Sequence, residues 1–131
     1  MQRVYWPEDV EGFVIKVNAK HVVGLITWAA NGERAEMVSI DALEPNQGIG
    51  RQLLTATERH LATRGVTLFS VATSNNNLSA LGFYQKLGFR LRRIYLDGMD
   101  RVREHKPHIP RVGLSGLPLM DMWKLEKSIS R

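Results

Sequence analysis

The chain has 131 residues, 44% of them apolar and 24% charged, with a formal charge of +5 and no cysteine. That length suits one domain, residues 1–131, with its own hydrophobic core, and the composition excludes a disulfide framework and a thiolate zinc site. No stretch approaches the roughly 20 apolar residues of a membrane span, and "MQRVYWPEDVEG" does not read as a signal peptide, so a cytoplasmic location is expected.

In chain order, "GFVIKVN" (12–18) and "HVVGLITW" (21–28) predict two strands joined by a short turn around Ala19 and Lys20. Asn31-Gly32 is a hairpin signal, because both residues tolerate positive φ, and it leads into a third strand, "AEMVSIDAL" (35–43). Pro45 has no N–H to donate and should end regular pairing. From Ile49 to Arg64, apolar residues fall at Ile49, Leu53, Leu54, Ala56 and Leu61, a helical spacing that Gly65 closes. "VTLFSVAT" (66–73) reads as a strand buried on both faces. "NNNLSALGFYQKLG" (75–88) predicts a helix with Asn caps ahead, a stripe of Leu78, Leu81, Tyr84 and Leu87, and a closing glycine. "FRLRRIYL" (89–96) and "PLMDMWKLE" (118–126) predict two more strands, separated by a loop, 97–117, rich in Pro, Gly and Arg. The order ββ-β-α-β-α-β-β gives an α/β or α+β sheet.

The positive charge admits a nucleic-acid surface, a site for a polyanionic small molecule, or simply a solvated surface. Lys and Arg are scattered, apart from Arg90, Arg92 and Arg93 and the run from Arg101 to Arg111. No base-reading motif accompanies them, so no nucleic-acid partner is expected.

"QGIG" (47–50) sets two glycines between a strand and a helix. It lacks the Gly-Lys-Ser/Thr of a nucleotide P-loop and the third glycine of the dinucleotide fingerprint. Either it is a tight strand–helix turn, or the amides of Gly48, Ile49, Gly50 and Arg51 converge on a phosphate.

This bend, followed by strand, "NNNLSALGFYQKLGF" and strand, resembles the GNAT superfamily of acyl-CoA-dependent N-acyltransferases. Gln47-Gly48-Ile49-Gly50 corresponds to the pyrophosphate loop, and Asn77-x-x-Ala80-x-x-x-Tyr84-x-x-x-Gly88-Phe89 to the second cofactor motif. The tail "HKPHIPRVGLSGLP" is similar to that of a small bacterial GNAT subgroup. The resemblance implies a mixed, mostly antiparallel sheet with a central, splayed parallel pair and flanking helices. It also implies acetyl-CoA as co-substrate, no metal, and transfer to a primary amine on a small molecule or a protein. The pantetheine arm would run between strands 35–43 and 66–74, pairing with main-chain groups from Ile40 through Ala42 to Leu43, and with Asn77 on its other side. On the residues alone, Asn77 is equally a helix cap. The family usually carries Arg or Gln where Pro45 stands, so weaker cofactor binding is expected. The alternative class is a GNAT-fold module that binds acyl-CoA without turnover.

An alkyl ammonium has a pKa of about 10.4, so freeing it at neutral pH costs about 4 to 5 kcal/mol, which a positioned base or a chain of waters to one can lower. Glu36 stands where many GNAT enzymes place that base, and its competing reading is a solvated carboxylate beside Arg34. Asp41 is a second candidate, expected on the opposite face because strand alternation separates residues five apart. The departing thiolate resembles one of pKa about 8.5, to which a phenol of pKa about 10 can donate. Tyr84 matches the family's acid position, against the alternative of a core aromatic. A backbone N–H near Ile40 would meet the oxyanion.

His105 and His108 flank a proline and complete no metal site, and Trp6, Trp28 and Trp123 read as core. The loop 97–117 suits a lid, with Arg101, Arg103, Lys106 and Arg111 as cations for an acidic substrate or the cofactor's phosphate, or else is simply a solvated loop. A typical GNAT chain has a strand and two helices before the hairpin, whereas few residues precede Gly12 here. The acceptor side is therefore expected to be open, or closed by the loop or a second subunit. A homodimer is expected through the N-terminal hairpin or the C-terminal strand, covering Phe13 and Ile15 or Val14 and Val17; the alternative is a monomer in which "VYWPEDVEG" folds back over the edge with Trp6 as the plug.

Overall fold

The computed structural model describes residues 10–42 and 48–130. The elements are β1 (Glu11–Asn18), β2 (His21–Asn31), β3 (Arg34–Ala42), α1 (Ile49–Thr63), β4 (Leu68–Ser74), α2 (Leu78–Lys86), β5 (Arg90–Tyr95), α3 (Gly98–His105) and β6 (Met122–Ser128). The strands follow the order β1-β2-β3-β4-β6-β5 in one sheet. The sheet is mostly antiparallel, with β3 and β4 as its parallel pair, which is the expected mixed architecture. Contacts divide the described chain into two units, residues 10–70 with 127–130, and residues 71–126.

In the first unit β1, β2 and β3 form an antiparallel meander with α1 against one face. Gly24, Ile26 and Trp28 alternate along β2 on that face, and Ala35 and Met37 continue it on β3. Leu53, Leu54 and Leu61 bring the buried stripe of α1 to meet them. Trp28 is core, as expected, with Phe13 at 4.9 Å and His60 at 5.7 Å between ring centroids. Phe13 is thus engaged beneath α1 through Trp28 and His60. Val14, on the other face, is half exposed, and the side chain of Val17 lies outside what is described, as does Trp6. Glu11 accepts from the Arg64 guanidinium at 2.9 Å and from the Trp28 indole, and that guanidinium holds its carboxyl below the usual range.

Three local expectations hold for their stated reasons. Gly65 and Gly88 end α1 and α2 at φ 83° and 99°, values that cost a residue with a Cβ. Phe69, Ser70 and Val71 are buried in succession, as a strand covered on both faces requires. The hairpin differs. Asn31 still pairs with Arg34, and the turn falls on Gly32 and Glu33, with only Gly32 at positive φ. The carbonyl of Glu33 then accepts from the amides of Thr67 and Leu68, so that turn also ties down the start of β4.

In the second unit, β6 lies between β4 and β5. A dimer through the C-terminal strand is therefore ruled out as an edge pairing, because both sides of β6 are already bonded. The free edges belong to β1 and β5, and each is broken by register shifts. Bulges and charges such as Lys16 and Arg92 are common means of blunting an edge. The expected loop 97–117 instead contains α3, which buries Gly98 and Met99. The predicted strand 118–126 begins late, at Met122, because Pro118 has no N–H and the amides of Met120 and Asp121 both donate to Asn75 Oδ1 at 3.0 Å.

Candidate active site

The glycine bend lies in the first unit. Gly48 is exposed, sits at φ 70° and caps α1, with no side-chain cap and no acidic residue in the first helical turn. The helical ladder begins with Gln52 N–H donating to the Gly48 carbonyl at 3.0 Å. The amides of Ile49, Gly50 and Arg51 precede it, so helix geometry gives them no acceptor within α1. Together they make a positive end able to receive an anion. Among the described residues a Cβ on Gly48 would meet nothing within 4 Å, so it is the left-handed backbone that favours glycine there. Leu43, Pro45 and Gln47, also expected at this site, lie outside the described residues.

Sequence reading missed one residue that sets this geometry. Gly24, in the middle of β2, faces α1, and a Cβ there would stand 2.5 Å from Ile49 Cγ2 and 3.1 Å from Leu53 Cδ1. Its absence lets the first turn of α1 approach the sheet. A glycine inside an apolar strand is itself a signal of close approach, and "VVGLI" carried it.

Ile40 and Ala42 lie on the α1 side of β3, opposite Ile26 and Gly24. Glu36 lies on the other side, half-buried, opposite Ala29. The expectation for Asp41 is corrected here. Thr27 pairs with Ser39 but Trp28 with Met37, so Val38 is an extra residue on β3. This bulge reverses the alternation beyond it and returns Asp41, opposite Leu25, to the face of Glu36. The Thr27 and Ser39 hydroxyls, 2.6 Å apart, confirm that the two pair on one face.

The second motif lies in the second unit. Asn77 is exposed and caps α2, its Oδ1 accepting from Ala80 N–H and its Nδ2 donating to Thr73 Oγ1, each at 3.3 Å. The other two asparagines do different work. Asn75 Nδ2 donates to the Pro118 carbonyl, and Asn76 accepts from the Ser74 hydroxyl and packs against Gly113. Tyr84 is buried on α2, with ring centroids of Phe83 and Phe89 at 5.7 and 5.8 Å.

The segment after α3 is built as fixed structure. Arg103 donates to the carbonyls of Ile109, Pro110 and Leu119 and pairs with Asp100. Its side chain is 12% exposed and holds the backbone, whereas Arg101 and Arg111 are exposed. Arg103→Ala strands those carbonyls and is expected to cost about 1–3 kcal/mol, with faster proteolysis within 106–119. Arg103→Lys should not rescue it, because one ammonium cannot span the fork. Equal proteolysis rates in all three proteins would refute the clamp.

Among the described residues no group of three or more His, Asp or Glu is placed to hold a metal ion, and no helix is long and apolar enough to cross a membrane. The acetyltransferase (GNAT) domain family matches residues 8–91. The chain belongs to the GNAT acetyltransferase family. This GNAT chain is 32% identical over 126 residues to the Bacillus subtilis protein YxbD, covering 96% of itself and 79% of that protein. It superposes on an IAA acetyltransferase from Bacillus cereus with a TM-score of 0.79 at 25% identity, covering 93% of this chain and 79% of the other. A GNAT acetyltransferase from Elizabethkingia anophelis, solved with acetyl-CoA bound, shares the fold at a TM-score of 0.80 and 24% identity, over 93% and 78% of the two chains. Membership of the GNAT family places the chain among acyltransferases.

Proposed function

We propose that the protein is an N-acetyltransferase that moves an acetyl group from acetyl-CoA to a primary amine of a small molecule or protein. The observation that carries this reading is the start of α1, where left-handed, exposed Gly48 caps a helix whose first three amides have no helical acceptor. A pyrophosphate satisfies those amides and the helix dipole together. Gln47, Gly48, Ile49, Gly50 and Arg51 hold it, and main-chain groups of Ile40, Ala42 and Leu43 pair with the pantetheine arm. Asn77 contributes its second Nδ2 hydrogen, the first being donated to Thr73. Glu36 takes the proton of the attacking ammonium through intervening groups or water, and Tyr84 protonates the departing thiolate. A backbone N–H near Ile40 meets the oxyanion.

Acetyl-CoA is expected to raise thermal stability, by about 2.7 kcal/mol at a hundred times its dissociation constant. Gly48→Val should abolish the shift, because a β-branched residue resists φ 70° and relieving that strain would displace the amides that follow. No shift at millimolar acetyl-CoA would overturn the co-substrate. Steady release of CoA thiol across a panel of primary amines tests turnover. A thermal shift with no thiol release would leave an acyl-CoA-binding module instead.

A further inference from the structure

The extra residue at Val38 does more than move one side chain. It aligns three polar positions on the face of the β2–β3 hairpin opposite α1. Glu36 stands opposite Ala29, Ser39 opposite Thr27, and Asp41 opposite Leu25, so they occupy consecutive same-face rows of the ladder. Rows two residues apart are about 7 Å apart, which puts Glu36 and Asp41 about 14 Å from each other along the strand. Without the bulge, Asp41 would point to the α1 side and the alignment would not exist.

These spacings bear on the base. Ser39 and Asp41 are the chain neighbours of Ile40, the position assigned above to the oxyanion, whereas Glu36 stands three ladder positions away, opposite Ala29 where Ile40 is opposite Ile26, or about 10 Å. A glutamate side chain spans far less than that distance. An amine attacking near Ile40 is therefore within reach of Asp41, and Glu36 can act on it only through an intermediary. The Thr27 and Ser39 hydroxyls, in contact at 2.6 Å, occupy the row between. Each hydroxyl both donates and accepts, and a row spacing of about 7 Å is one that a carboxylate side chain and a single bridging water can span.

We infer that Asp41, the Thr27–Ser39 hydroxyl pair and Glu36 form one proton track, with Asp41 at the acceptor end. The inference rests on the acetyl transfer proposed above. The acceptor enters as an ammonium, and its proton passes to Asp41, across the hydroxyl pair, to Glu36 and to solvent. The freed nitrogen lone pair forms the C–N bond to the thioester carbonyl and the nitrogen then gives up its second proton by the same track; the C–S bond breaks, and the sulfur takes a proton from Tyr84, which recovers one from solvent. The products are the amide, CoA thiol and one released proton. Thr27 and Ser39 act here as positioning residues that carry the proton between carboxylates.

The test is a set of pH–rate profiles for kcat/KM, using acetyl-CoA and whichever primary amine of the panel gives most CoA release. Asp41→Asn and the double variant Thr27→Val with Ser39→Ala are compared with wild type. Removing both hydroxyls together leaves no half-buried partner stranded, and Asp41 is exposed, so all three proteins should fold and show the same acetyl-CoA thermal shift. Near pH 7 each variant should lose about tenfold or more, and the loss should shrink as pH approaches the amine's own pKa of about 10.4, where free amine needs no base. Adding Glu36→Gln to Asp41→Asn should cost little more, because groups in series are not additive. A loss equal at every pH would make the hydroxyl pair merely structural, and no loss would remove it from the path; either overturns the track. Wild-type protein that binds acetyl-CoA but releases no thiol would instead overturn the proposed transfer, and the track with it.

Discussion

Tyr84→Phe is expected to lower turnover by about ten- to a thousandfold while leaving the fold and acetyl-CoA binding intact. The variant keeps the ring that packs edge-on against Phe83 and Phe89 and removes only the hydroxyl. Thermal melts with and without acetyl-CoA should therefore match wild type, and CoA release should carry the whole loss. The pair of readouts separates the two roles a buried tyrosine can have. A core tyrosine would change the melt and spare the rate. A general acid would change the rate and spare the melt, because thiolate departure then lacks its proton. Unchanged turnover would assign Tyr84 to the core and leave the thiolate to another donor.

Gly24→Ala is expected to lower stability by about 1–3 kcal/mol, the usual range for an extra methyl in a packed site, and to weaken acetyl-CoA binding as well. The added Cβ would fall 2.5 Å from Ile49 Cγ2, on a β-branched side chain with little rotamer freedom in a helix, so α1 must move. Ile49 is the first residue of that helix, and moving it displaces the amides assigned to the pyrophosphate. Such a displacement should reduce the acetyl-CoA thermal shift beyond what lower stability alone explains. Ile49→Ala removes the opposing methyl, so the double variant should lose less than the sum of the two single changes. Additive losses would mean that Gly24 does not set the position of α1.

The parts of this protein legible in its sequence are those decided within a few residues. Gly65 and Gly88 close α1 and α2 because a left-handed residue is a local demand that glycine meets at least cost. Asn77 caps α2 through an atom three residues from the amide it accepts. The apolar periods of α1 and β4 also emerged, since each repeats within its own element. The glycine bend and the second motif carried the family, and with it the mixed sheet and its parallel pair, but not the place of β6 inside it.

What stayed hidden depends on partners distant in the chain. α3 is short, opens on glycine without a side-chain cap and is half charged, so local propensity did not announce it; Met99 and the close seat of Gly98 against Met122 hold it. β6 starts at Met122 because Asn75, over forty residues earlier, takes the amides before it. Arg103 looks like a ligand for anions in sequence, and becomes a clamp only once three carbonyls are folded around it. The face of Asp41 was decided in the same way. Alternation along a strand is a rule for an unbroken ladder, and an extra residue at Val38 appears only when β3 is laid against β2. Residue types and their order therefore carried the family and its chemical groups, whereas pairing between strands decided which of those groups share a face, because register is a relation between two segments.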